Sequence, residues 1–155
     1  AINRNKLSLA ADLTSAADRE LLGTLIAGAD VVLENFRPGT LERFGLGAAE
    51  LLGRHPRLIW CTITGFGLES PRPGYDFVVQ AESGWMAITG EPDGAPMKVG
   101  VALADVLAGK DAAIQVLAAL AGRTRGRGGR RLSVSLLHSA TSALVNVAQN
   151  ALVTG

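Results

Sequence analysis

The longest apolar stretch of the chain is residues 99–121, VGVALADVLAGKDAAIQVLAALA, and it limits the possible folds more than any other segment. It contains no proline, and no glycine follows Gly109 within it. The spacing of its large apolar residues predicts a mostly buried helix, whose buried stripe is Val106, Leu107, Ile114, Leu117 and Leu120. One acid, Asp105, then lies at or near the first turn of this helix.

Asp105 has two interpretations that its position alone leaves open. Aspartate is a favoured N-cap, because it accepts hydrogen bonds from free backbone N–H groups at the positive end of a helix. A carboxylate on a rigid element can instead attack an activated acyl group and hold it covalently. In that case the small residues on the same helix face, Ala108, Gly109 and Ala112, are expected to leave room for a substrate.

Composition indicates a single globular domain with a substantial core, since 48% of the 155 residues are hydrophobic. The net charge of +1 predicts no general attraction to nucleic acid or to an anionic membrane. The single cysteine, Cys61, excludes an internal disulfide, and no Cys and His cluster suggests a metal site. We expect a cytoplasmic protein without a secretion signal, and the abrupt start of the sequence suggests a piece of a longer protein.

Residues 122–131, GRTRGRGGRR, are the strongest argument for nucleic-acid binding, with five arginines among four glycines. The other ten basic residues of the chain are outnumbered by fourteen acidic ones, and no aromatic residue interrupts the arginines. The segment is therefore predicted to be a solvated loop. Charges at positions 105, 110 and 111 likewise argue against a membrane span in the apolar stretch.

The remaining patterns alternate between strands and helices, which is typical of an α/β fold with a mostly parallel sheet. Strands are predicted at residues 6–12, 29–33, 57–64 and 132–136. Helices are predicted at residues 16–28, capped by Thr14 or Ser15, then at 41–44 continuing through 48–52, from 75 to 81, and at 137–152. Residues 85–89 are either apolar wall or a short strand, and residues 91–96 form a turn.

Two short segments follow predicted strands. The polar segment 34–39, ENFRPG, lies where open α/β sheets place ligands, although Pro38 and Gly39 are equally typical of a plain turn. Gly65 and Gly67 are weak evidence for a phosphate cradle, because the third glycine of a dinucleotide fingerprint is missing.

Several motifs in this order resemble those of the class III CoA-transferases, the family of formyl-CoA transferase and carnitine CoA-transferase. They are ADVVLENFRPG, LERFGLG, PRLIWCTITGFG, RPGYDFVVQAESGWMAITG, VGVALADVLAG and AALAGRTRGRGGRRLSVSLL. The resemblance implies a Rossmann-like, mostly parallel sheet flanked by helices, as a fragment of a larger two-domain fold. Residues 1–155 would form part of the large CoA-binding domain. The amino-terminal strand and the small domain would lie outside them, and the full-length protein would form an interlocked homodimer.

The resemblance also favours the nucleophilic interpretation of Asp105. It implies CoA transfer from an acyl-CoA to a carboxylic acid acceptor through an aspartyl anhydride and an aspartyl-CoA thioester. Coenzyme A is then a substrate, and neither a covalently bound cofactor nor a metal is expected. The expected partners are the acyl-CoA and carboxylic acid substrates, with no nucleic acid and no membrane.

Further positions match family segments around CoA. They are Ala11, Asp12, Leu13 and Thr14 near the adenine, Asn35, Phe36 and Arg37 in the strand-end segment lining the CoA site, Arg43 at the nucleotide portion, and Pro73, Gly74, Tyr75 and Asp76 over the pantetheine arm and acyl group. A cation common in the family is absent at Thr14, and His138 replaces a usual aspartate. One alternative is an α-methylacyl-CoA racemase, but such enzymes have His where this chain has Tyr75. The other is a truncated, non-catalytic CoA-binding remnant.

Overall fold

The computed structural model describes residues 3–154, and within them three strands form one parallel sheet in the order β1-β2-β3. The strands are β1 (Val31–Glu34), β2 (Ile59–Thr64) and β3 (Arg130–Ser135). The α-helices are α1 (Ala16–Ala27), α2 (Ala48–Arg54), α3 (Asp76–Glu82), α4 (Leu103–Thr124), α5 (Leu136–Ser142) and α6 (Asn146–Thr154). The predicted α/β class, a parallel sheet flanked by helices, is confirmed.

The central strand β2 divides the core in two, because its side chains alternate between the faces of the sheet. On one face Cys61 packs with Val79 of α3 and Ala108 of α4. On the other face Trp60 packs with Leu51 of α2 and with apolar side chains of α1. Helices therefore cover both faces, as crossover connections between parallel strands require.

Helix α4 packs on the sheet through its alanines and not through its large side chains. Its buried residues are Ala104, Ala108, Ala112 and Ala119. Val106, Ile114 and Leu117 are 53%, 63% and 65% exposed, and Leu107 and Leu120 are only half-buried. The predicted buried stripe was wrong, because small side chains let the helix approach the strands closely. Ala108 and Ala112 lie in the core, whereas Gly109 is exposed and a Cβ atom there would meet no other atom within 4 Å.

The strand predicted at residues 6–12 is also wrong. These residues form no regular structure, and Leu7 is fully exposed. Alternation of Leu7 and Leu9 suits a strand, but a strand also needs a hydrogen-bonding neighbour, and within residues 3–154 the sheet has only β1, β2 and β3. The following helix, α1, begins as predicted, with the Ser15 hydroxyl accepting a hydrogen bond from the Asp18 N–H.

Two predicted helices are divided where the backbone turns left-handed. Gly45, at φ 69°, separates the 3-10 helix Glu42–Phe44 from α2, and Val145, at φ 45°, separates α5 from α6. Residues 85–89 were predicted to be apolar wall or a short strand. They contain a 3-10 helix instead, Trp85–Ile88. The predicted arginine-rich loop is shorter than expected, since residues 122–124 end α4 and residues 130–131 begin β3. In the part of the chain described, no helix is long and apolar enough to cross a bilayer.

Candidate active site

The carboxyl ends of the three strands meet at a cavity of about 120 Å³. The segment after β1, the end of β2, the loop 70–74, the start of α5 and the first turn of α4 all contribute to its wall. Six residues predicted from the sequence line this one cavity, namely Asn35, Phe36, Arg37, Pro73, Gly74 and Asp105. Residues separated by up to seventy positions in the sequence are thus brought together at the edge of the sheet where α/β folds bind ligands.

Asp105 does not cap its own helix. The N-cap position of α4 is Ala102, and Asp105 follows in the first turn. The carboxylate of Asp76 caps the helix from outside, because its Oδ1 accepts hydrogen bonds from the N–H groups of Ala104 at 2.7 Å and Asp105 at 3.2 Å. The N-cap interpretation of Asp105 is therefore wrong, and its carboxylate lines the cavity.

The surroundings of Asp105 favour the protonated form of its carboxyl group. Partial burial raises the pKa of Asp105, and the nearby negative charge of Asp76 raises it further. Two cations also line the cavity, Arg37 and Arg72. Arg72 is held in place by an ion pair with Glu82 and by stacking over the Phe66 ring, 3.8 Å from its centroid.

Gly65 and Gly74 shape the cavity wall through a close backbone contact. A Cβ atom on either glycine would overlap the backbone of the other. Their lack of side chains lets the loop 70–74 cross directly over the end of β2. The turn after Gly65 is fixed by a hydrogen bond from the Gly67 N–H to the Thr64 hydroxyl, at 2.9 Å. This pairing could not be predicted from the sequence, which shows only a glycine at each of the two positions.

A second, more apolar cavity of about 460 Å³ lies on the α1 and α2 face of the sheet. Ala11 and Leu13 line it, and Phe36 is shared between this cavity and the one at Asp105. Asp12 and Thr14 instead form a local turn, in which the Asp12 carboxylate accepts from the Thr14 N–H and hydroxyl at 2.8 and 2.7 Å. These bonds lower the pKa of Asp12. The four residues predicted near the adenine therefore do not act together. Ala11 and Leu13 line a cavity, and Asp12 and Thr14 form the turn that precedes α1.

Three further predicted site residues, Arg43, Tyr75 and Asp76, also lie outside both cavities. Arg43 is exposed in the 3-10 helix after β1. The Tyr75 ring stacks on Phe77 with centroids 6.1 Å apart, and the side chain of Asp76 bonds to the start of α4. The N-cap of α5 is Ser135, and His138 is exposed in the first turn of that helix.

Sequence reasoning missed two residues beside the site. Trp60 and Arg131 line a third cavity, of about 290 Å³, which also includes Phe36 and Arg37. The Trp60 Nε1 donates to the Thr62 hydroxyl at 3.2 Å. Alternation along β2 and the first residues of β3 could have indicated both positions. Within residues 3–154, no group of three or more His, Cys, Asp or Glu side chains is arranged to hold a metal ion.

Of the residues that the structure describes, one carboxylate lines the cavity at the strand ends, that of Asp105. The one cysteine, Cys61, is buried in the core, and this burial raises the pKa of its thiol. The family model described as CoA-transferase family III matches residues 1–155. The chain belongs to this family.

The relatives in CoA-transferase family III are considerably longer than this chain. A succinate–glutarate CoA-transferase of Agrobacterium fabrum is 42% identical over all of this chain and 40% of its own length. An acetyl-CoA:oxalate CoA-transferase of Acetobacter aceti is 40% identical over 87% of this chain and 36% of its own length. A crystal structure of a CaiB/BaiF family protein from Brucella suis superposes with a TM-score of 0.93 at 42% identity, over 97% of this chain and 40% of that one.

Proposed function

We propose that the protein transfers CoA from an acyl-CoA thioester to a carboxylic acid, with Asp105 as the nucleophile. One observation carries the proposal: the Asp105 carboxylate lines a cavity at the carboxyl ends of the strands, while Asp76 caps its helix. Membership in CoA-transferase family III supports the same chemistry. A carboxylate that is not needed to complete the helix is available to form a covalent bond.

The proposed reaction exchanges one activated acyl group for another at every step. The Asp105 carboxylate attacks the thioester carbonyl, and the carbon–sulfur bond breaks to give an acyl-aspartyl anhydride and CoA thiolate. The thiolate attacks the aspartyl carbonyl, which releases the donor acid and forms an aspartyl-CoA thioester. The acceptor carboxylate then displaces the thiolate to form a second anhydride. Thiolate attack on the acceptor's carbonyl in that anhydride yields the new acyl-CoA and restores Asp105.

This sequence of steps needs no external oxidant, reductant or net proton transfer, so the chain's own task is to bind and orient. Phe36 lines all three cavities, which makes it the natural contact for the middle of an extended CoA molecule. We assign the adenine to the apolar cavity of Ala11 and Leu13, and the thioester carbonyl to the cavity of Asp105. Arg43 is proposed to contact the phosphates, since Arg forms charge-assisted bonds with them.

We propose short dicarboxylic acids as the acceptor class to test first. The two relatives described above are named for succinate, glutarate and oxalate, all of which carry two carboxyl groups. Arg37 supplies a cation at the cavity and can pair with a second carboxylate. Racemisation has no supporting observation, because position 75 holds a tyrosine whose ring stacks on Phe77.

The intact protein is proposed to be longer than this chain, because the relatives are more than twice its length. Residues 1–155 then form part of the large domain, and the amino-terminal strand and the small domain belong to the rest. An interlocked homodimer and a cytoplasmic location remain predictions from the sequence.

The direct test uses the full-length protein encoded by the reading frame that contains this chain. After incubation with acyl-CoA and hydroxylamine, mass spectrometry is expected to find a hydroxamate on Asp105. Asp111, on the same helix, is an internal control, because its carboxylate accepts a 2.6 Å hydrogen bond from Ser139. We expect Asp105→Ala to lower turnover at least roughly 10³-fold, as removal of a covalent nucleophile does. A hydroxamate on another residue, or turnover retained by the variant, would contradict the proposal.

A further inference from the structure

Gln80 of α3 is a fully buried polar side chain next to the proposed active site. It is 0% exposed and is among the largest side chains that are completely enclosed. Burial of an amide is costly unless its donors and acceptor find partners. A buried amide that has partners can hold the groups it bonds to in one position. An apolar residue of similar size could not do this.

The Gln80 amide makes three hydrogen bonds, and all of them lead towards α4. Its Nε2 donates to Asp76 Oδ2 at 2.6 Å and to the Val101 carbonyl at 3.1 Å. Its Oε1 accepts from the Val99 N–H at 2.8 Å. One side chain thus holds both the Asp76 carboxylate and the backbone segment that enters α4.

Asp76 continues this connection to Asp105. Gln80 occupies one oxygen of its carboxylate, and the other accepts from the N–H groups of Ala104 and Asp105. Ala102, at the N-cap position of α4, has no side chain that could supply these acceptors. The first turn that carries Asp105 is therefore fixed by two side chains of another helix.

We propose that Gln80 is a positioning residue for Asp105, acting through Asp76. The inference rests on the proposed function of Asp105 as nucleophile. A covalent reaction requires the attacking oxygen to be held near the carbonyl carbon, and small displacements of that oxygen slow the reaction strongly. Gln80 does not line the cavity, so its loss is expected to slow the chemistry and to leave CoA binding nearly unchanged.

The test measures the rate of adduct formation on Asp105 at saturating acyl-CoA, together with the KM for acyl-CoA, in the full-length protein. Gln80→Met keeps the approximate size and removes all three hydrogen bonds. We expect the adduct rate to fall roughly 10- to 100-fold, with KM changed less than about threefold. Gln149→Met, at an exposed position of α6, is the matched control and is expected to react at the wild-type rate.

A double-mutant cycle separates this role from a general loss of stability. Asp76→Asn removes the charge that Gln80 holds and keeps an oxygen that can accept from α4. If Gln80 acts through Asp76, Gln80→Met slows the adduct rate several-fold less in the Asp76→Asn background. Gln80→Glu, which keeps the acceptor for the Val99 N–H, tests the same connection if the Met variant does not fold. It is expected to slow the adduct rate because it replaces the donor to Asp76 with a like charge.

The outcomes distinguish this inference from the proposed function. A wild-type adduct rate in both Gln80 variants, or an equal loss in both Asp76 backgrounds, overturns the positioning role while Asp105 remains the nucleophile. Failure of the wild-type protein to form any adduct on Asp105 overturns the proposed function itself.

Discussion

At the scale of single residues, the decisive pair is Asp105 and Asp76. The sequence predicted both as site residues, but it could not assign the cap of α4 to one of them. Asp76 lies twenty-eight positions before Ala104, from whose N–H it accepts a hydrogen bond, and local patterns contain no information about such a contact. Gln80 was not predicted either, because a glutamine in a helix is usually exposed.

The raised pKa of Asp105 predicts the pH dependence of the reaction. Only the ionised carboxylate is nucleophilic, so activity is present above this pKa and lost as the pH falls through it. We therefore expect the acid limb of kcat/KM to lie above the range of an ordinary aspartyl carboxyl. The charged groups around Asp105 are Asp76 of α3 and the two cavity cations, Arg37 and Arg72.

Asp76→Asn removes the charge that adds to the effect of burial, so the acid limb is expected to move to lower pH. The measurement is kcat/KM as a function of pH in the full-length variant. Asp93→Asn, in the exposed turn before Pro96, serves as control and is expected to leave the limb in place. A limb that stays fixed or moves upward in Asp76→Asn would refute this electrostatic account.

At the scale of elements, the sequence predicted what short-range periodicity determines. The bounds of β2 were predicted to within about two residues from its β-branched and aromatic side chains. Those of α1 were predicted as closely from the spacing of its apolar residues. The strand at residues 6–12 failed because pairing depends on a neighbour that the pattern cannot specify. The buried face of α4 failed because Ala104, Ala108 and Ala112 pack where larger residues were expected. Hydrophobicity alone does not show which apolar residues allow a close approach.

The contact between Gly65 and Gly74 provides a test of how the cavity is built. Gly65→Ala places a methyl group against the Gly74 backbone, so the loop 70–74 must move or β2 must bend. We expect a loss of about 2 kcal/mol in unfolding free energy and a slower formation of the Asp105 adduct. Both are measurable by denaturant unfolding and by mass spectrometry.

Gly53→Ala is the matched control, since a Cβ there meets no other atom within 4 Å. This position lies inside α2, where alanine is favoured over glycine by about 1 kcal/mol. The control is expected to be neutral or stabilising. Equal stability and equal adduct rates in the two variants would argue against the close-contact role of Gly65.

At the scale of the whole molecule, the chain leaves an apolar surface on α4. Ile114 and Leu117 are mostly exposed, and both lie on the side of α4 away from the sheet. Since the chain spans about 40% of the relatives' length, we expect another part of the intact protein, or a second copy of it, to cover this surface. The family resemblance predicted a larger assembly, but no pattern within the chain indicated which helix face it would cover.

Ile114→Asp tests this expectation in the full-length protein. A charge introduced into a covered apolar surface is expected to lower the free energy of unfolding by about 2 kcal/mol or more. Glu20→Lys, at an exposed position of α1 and therefore away from this surface, is expected to change it by less than about 0.5 kcal/mol. If the two variants melt at the same temperature in a thermal scan, this surface of α4 is solvated in the intact protein.

Asp105 is proposed to become covalently linked to both substrates in turn, and an isotope experiment can detect this link. The full-length protein is incubated with an acyl-CoA and an acceptor acid whose carboxylate carries oxygen-18. The mass of the peptide that contains Asp105 is then measured by mass spectrometry. We expect one labelled oxygen to move into the Asp105 carboxylate in each turnover, because the second anhydride breaks on the acceptor side when CoA attacks. Product formation with no label at Asp105 would mean that the acceptor attacks the acyl-CoA directly, and it would contradict the account.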